Sequence, residues 1–133
     1  MKILRRSRTI LALNGIIMIF IGIIFFIYPE KLTIIMFPKI VSNPEALKVG
    51  VVLRYLMGAG HLAIGIILYL ARISIKSGGQ RLLLGSGIGF MIIFVTAVFI
   101  IFNYKSDIPI VALSVYPLLG ILSLYVSTRK FQD

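Results

Sequence analysis

A run of about twenty residues without a charge, TILALNGIIMIFIGIIFFIY at 9–28, constrains this chain more than any other feature. At about 1.5 Å of rise per residue it makes a helix roughly 30 Å long, which matches the hydrocarbon core of a bilayer. A basic start, MKILRRSR, precedes it, as it would in a secretory signal. The run is too long for a signal's apolar region and no small-residue cleavage site follows, so it reads as a transmembrane helix.

Three further apolar blocks repeat the pattern. The second spans about 50–72. Its helix starts earlier, with Asn43 as N-cap, Pro44 in the first position and Glu45 in the first turn. The third spans about 82–103 and the fourth about 108–128, with Ser106 or Asp107 as cap, Pro109 just inside and Pro117 loosening the interior. Between the first two, LTIIMF sits between prolines. It is too short to span and too apolar for a free loop, so it lies in the interface or folds back over the bundle. RISIKSGGQR at 72–81 reads as a tight turn built on Gly78 and Gly79, which makes the second and third helices antiparallel neighbours.

Composition supports the same class. The chain is 59% hydrophobic and 14% charged with a mean hydropathy of +1.07, whereas a soluble domain is about half apolar and about a quarter charged. The expected fold is therefore all-α: one domain over 1–133, four transmembrane helices in an antiparallel bundle. The net charge of +10 would suggest nucleic acid in a soluble protein. Here the basic residues flank apolar spans, which points instead to orientation and to anionic lipid headgroups. Lys2, Arg5, Arg6, Arg8, Arg72, Lys76, Arg81, Arg129 and Lys130 fall on one side; Lys31, Lys39, Lys48 and Lys105, with Arg54 nearby, fall on the other. The first side is cytoplasmic by this bias, placing both termini on the cytoplasmic side of a cell membrane. Tyr28, Tyr69, Tyr104 and Tyr125 are the interfacial aromatics near span ends.

Glycines set the packing. Gly15 and Gly22 on the first span, and Gly65 and Gly58 on the second, pair at a constant index sum, as antiparallel helices require at equal depth. Lipid supplies no hydrophobic drive between helices, so close approach at small residues makes the contact. Gly85 and Gly89 form a second small-residue spacing on the third span.

Arg54, Gly58, His61, Gly65 and Arg72 recur at helical steps and share one face. His61, the single histidine, lies roughly 16 Å into its span by helix rise, where an ionisable group is a functional candidate. Three readings compete. A neutral imidazole hydrogen-bonded to a neighbouring helix leads, with Ser114, Tyr116 and Thr96 at matching depth. A cavity or substrate contact follows. Haem or copper ligation with Met18, Met57 or Met91 comes last, since a metal site needs several strong ligands. Arg54 reads first as a structural clamp, snorkelling outward or pairing with Glu30, Glu45 or Asp107, and second as an anion-binding residue. Asn14 offers an interhelical hydrogen bond.

Cysteine is absent and all four acids lie outside the spans, which removes thiol redox chemistry and a membrane-embedded carboxylate. No P-loop, serine triad or metal-hydrolase motif occurs, so the chain is expected to be no enzyme, with no catalytic, cofactor-binding or metal residues.

The basic start, LALNGIIMIFIGIIFFIYPEKL and LRYLMGAGHLAIGIILYLAR resemble, over about residues 8–72, the small four-helix membrane proteins grouped as DoxX-like. That resemblance implies a four-helix fold and a non-catalytic role, some relatives being accessory membrane subunits of oxidoreductases. It transfers no site residues. The first functional expectation is thus a structural or accessory subunit of a larger membrane complex, of a redox or energy-converting kind, with other membrane subunits or its own copies as partners. The alternative is a binder or carrier of a small hydrophobic molecule, a lipid or quinone, in a cavity near His61 lined by Arg54, Ser114 and Tyr116.

Overall fold

A computed structural model describes residues 7–74 and 76–128, Lys76 by its backbone alone. The basic residues Lys2, Arg5, Arg6, Arg129 and Lys130 lie outside the described residues. Five α-helices follow in order: α1 Ser7–Ile27, α2 Pro29–Met36, α3 Pro44–Ala71, α4 Lys76–Tyr104 and α5 Ile110–Ser127. A 3-10 turn, Pro38–Ser42, links α2 to α3, and no strand occurs among the described residues. Four of the helices are long and apolar enough to cross a bilayer: α1, α3, α4 and α5. The chain is a multi-pass membrane protein. Phe20, Phe102 and Ile110 are 63%, 79% and 83% exposed, a surface that water does not tolerate and lipid covers.

The spans pair tightly as α1 with α3 and as α4 with α5, and the two pairs meet along a thinner seam. Glycine explains the first pairing. An added Cβ at Gly15 would stand 2.7 Å from the Gly65 carbonyl oxygen, and one at Gly22 would stand 2.9 Å from that of Gly58. The backbones touch there because no side chain intervenes. On α4 the outcome departs from the expected spacing. Gly85 and Gly89 have nothing within 4 Å of a built Cβ, whereas Gly87 meets Leu124 and Gly120 meets Met91. The face toward α5 runs through Gly87, so the Gly85–Gly89 row points outward.

Two boundaries also differ from the sequence reading. Gly78 and Gly79 belong to α4 instead of the turn, and no described glycine takes a positive φ. The reversal is made by Arg72–Ser74, where Ile73 N donates to Leu70 O and Ser74 N to Ala71 O, tightening the last turn of α3. Arg72 leaves the buried face and stacks its guanidinium 4.0 Å over Tyr69, being a cap and not an interior residue. Pro109 precedes α5 with ψ of 134°, so neither Ser106 nor Asp107 caps that helix. Asp107 N donates instead to Met36 O, pinning the α4–α5 loop to α2. Lys105, with φ of 49°, turns the chain out of α4 in the left-handed region. Asn43 does cap α3, its side-chain oxygen accepting from Ala46 N at 3.1 Å.

LTIIMF folds back as α2, which packs on α3: Thr33 is buried, its hydroxyl donating to Pro29 O, and its methyl covers Gly50. The buried apolar side chains, Ile10, Leu11, Met18, Leu68, Ala71, Leu83, Phe90, Leu119 and Val126, all lie in the half of the bundle where residues 7 and 128 stand. Asn14 Nδ2 donates to Ser123 Oγ at 2.7 Å across the seam in that half. The opposite half, roofed by α2 and the α4–α5 loop, holds no such core. It holds a cavity.

Candidate functional site

The cavity measures about 370 Å³ and draws its walls from all five helices. Phe25 closes the α1 side. Leu32, Ile35 and Met36 of α2 form the roof. α4 contributes Ile92, Ile93, Thr96, Ala97 and Ile100, and α5 contributes Ala112, Leu113 and Tyr116. Small residues at 97 and 112 face the seam between the helix pairs, which leaves the space unfilled. α3 supplies Arg54, Met57 and His61, and the first and last are on the buried face expected from their spacing. By helix rise, Arg54 stands roughly 10 Å nearer the roof than His61.

His61 Nδ1 lies 2.7 Å from the Met57 carbonyl, which only accepts, so this nitrogen carries the proton. Nε2 lies 2.8 Å from the Tyr116 hydroxyl, and in the neutral ring it accepts from that group. One imidazole thus ties α3 to α5. Phe25 packs its ring edgewise on His61 with centroids 5.2 Å apart, and Phe90 lies beside Tyr116 at 6.5 Å. Both ring nitrogens being engaged, His61 floors the cavity as a satisfied polar group. Met18 is buried in the core and Met91 sits against Gly120, so of the three methionines weighed beside His61 only Met57 lines the cavity with it, and its sulfur accepts from Arg54.

Arg54 differs from expectation. Among the described residues it neither snorkels out nor meets a carboxylate: Glu30, Glu45 and Asp107 are all exposed, and Arg54 itself is only 6% exposed. Its guanidinium donates toward Met36 Sδ and Met57 Sδ and stands 5.7 Å from the Phe25 ring. The α2 fold explains this, because the helix covers the outward route and brings Met36 over the side chain.

Comparison with protein families, curated proteins and solved structures yields no match. The site therefore rests on its own chemistry. Of the residues singled out from sequence, the structure brings together His61, Arg54, Tyr116 and Thr96. Ser114 does not join them: its hydroxyl donates to Val111 O within α5, and it lies off the cavity wall. Depth matching found its level correctly but carried no information about its azimuth. Phe25, Met36 and Ala97 were not anticipated. Phe25 alone left a trace, one turn beyond Gly22 on α1.

Proposed function

We propose that this protein binds a small hydrophobic molecule within the membrane, in the cavity between its two helix pairs. The observation carrying this reading is the cavity itself: 370 Å³, almost wholly apolar in its lining, with a few fixed polar groups at two levels. Ligand pockets run from about 300 to 1,000 Å³ with that same balance of walls and polar anchors. The size suits one chain or one ring with a short tail, and not a whole two-chain lipid. By the Lys and Arg bias the cavity half faces away from the cytoplasm, with both termini on the cytoplasmic side of a cell membrane. A molecule would then reach it from the outer leaflet.

Ala97→Phe tests this by filling the space from α4. The full-length chain, gently extracted and measured by native mass spectrometry, is expected to carry a bound small molecule that the variant lacks at unchanged thermal stability. A wild-type chain carrying nothing would overturn the proposal. A second reading, an accessory subunit of a larger membrane complex resembling the DoxX-like proteins, is favoured by the uncovered Gly85–Gly89 row, which suits close docking of another helix. It predicts a larger partner in the same spectrum.

A further inference from the structure

Among the described residues Arg54 is the one member of the cavity lining with a permanent charge, and it is buried with no carboxylate of those residues against it. A guanidinium presents five N–H donors in a planar fork made for an oxyanion. Here its partners are two thioether sulfurs, which are weak acceptors, and the face of Phe25. A cation held this way in a membrane protein is costly unless something compensates it. The acids that stand nearest in sequence are turned to the surface, as described above. His61 and Tyr116 offer no rival anchor, since each already satisfies the other. Below the guanidinium the wall is apolar as far as that pair except for Thr96.

We infer that the cavity's ligand is a single-chain anionic amphiphile, its oxyanion head paired with Arg54 and its tail running down the wall toward His61 and Tyr116. This rests on the cavity being a binding site, as proposed above, and adds the charge. An uncharged quinone would fill the space but leave Arg54 uncompensated. The head is a carboxylate, phosphate or sulfate; the same chemistry exists in a free acid and in an anionic phospholipid headgroup.

The test uses the full-length chain in phosphatidylcholine nanodiscs at pH 8, with labelled dodecanoate and dodecanol as probes and empty nanodiscs as the partition blank. Charge-assisted hydrogen bonds to a buried guanidinium set the expected effect. Arg54→Gln should weaken dodecanoate binding by at least about tenfold and leave dodecanol within about twofold. Arg54→Lys, which keeps the charge, should restore most of the preference. It also guards against a misfolded glutamine variant. Equal losses for acid and alcohol, or no loss for either, would overturn the anion and leave the cavity reading standing. Binding of neither probe above the blank would overturn the cavity reading itself. Adding phosphatidylglycerol separates the sources: displacement of dodecanoate that needs Arg54 supports a phospholipid head, and no displacement supports a free acid.

Discussion

Replacing Gly15 by alanine asks how much of the fold depends on the α1–α3 seam. The new methyl would stand 2.6 Å from Tyr69 N and 2.7 Å from Gly65 O, both backbone atoms that no rotamer change can move. Reaching the 3.4 Å at which ordinary contact begins requires the helices to part by roughly 0.8 Å. A gap of that size forfeits about a quarter to a half of the dispersion energy of each separated atom pair, and overpacking of this kind costs about 1–3 kcal/mol. Alanine's better helix propensity, about 1 kcal/mol, partly hides the loss. Gly60→Ala supplies the correction, because nothing lies within 4 Å of a Cβ there and only the propensity term acts. Unfolding of the full-length chain in mixed micelles, followed by circular dichroism as dodecyl sulfate rises, should place Gly15→Ala about 1–3 kcal/mol below Gly60→Ala. Gly15→Ala with Gly65→Ala should cost less than the two singles together, since one parting of the helices serves both methyls. Equal stability of Gly15→Ala and Gly60→Ala would refute the reasoning.

Two further substitutions follow the polar groups. Tyr116→Phe removes the donor facing His61 Nε2, so that nitrogen loses its partner at the cavity floor while Nδ1 keeps the Met57 carbonyl. The expected loss is about 1–3 kcal/mol in the same unfolding assay, with the imidazole's nitrogen-15 shifts still reporting the proton on Nδ1. Ser123→Ala removes the acceptor of the Asn14 amide, whose oxygen is already buried without a partner, leaving both ends of that amide unmatched. Interhelical bonds in membranes average about 0.6 kcal/mol with a maximum near 1.7, and this one should lie toward the upper end by unfolding measurement.

The membrane class, the four spans and the capped start of α3 were legible because each rests on local rules: run length, mean hydropathy and the Asn43–Pro44 signal. The α1–α3 seam was legible because antiparallel helices convert depth into a simple index sum, and glycines mark the depth. The same logic failed on α4. Gly85, Gly87 and Gly89 lie within five residues on one helix, and only the choice of neighbour decides which of them is buried. That choice is tertiary. Arg54 failed for a related reason, since the reading gave it an open route to the surface. α2 closes that route, and whether an eight-residue apolar segment lies in the interface or returns over the bundle is not written in its hydropathy.

Why the bundle is solid at one end and hollow at the other follows from where its small and polar residues fall. Near the described ends the two helix pairs are drawn together by the Asn14–Ser123 bond, and Leu83, Phe90 and Leu119 fill the space between them. Toward the roof the facing positions on α4 and α5 are Ala97 and Ala112, and α3 offers Arg54 and Met57 where a core would need branched aliphatics. The His61–Tyr116 bond marks the border between the halves. Above it the apolar side chains of the wall leave the gap open, and α2 with the pinned loop at Asp107 covers the opening without filling it. A sequence selected only for packing would replace Arg54 and Ala97 by larger apolar residues and gain stability, because buried cations and voids both cost free energy. A cation and a void side by side are the two features that the proposed binding of an anionic amphiphile would use.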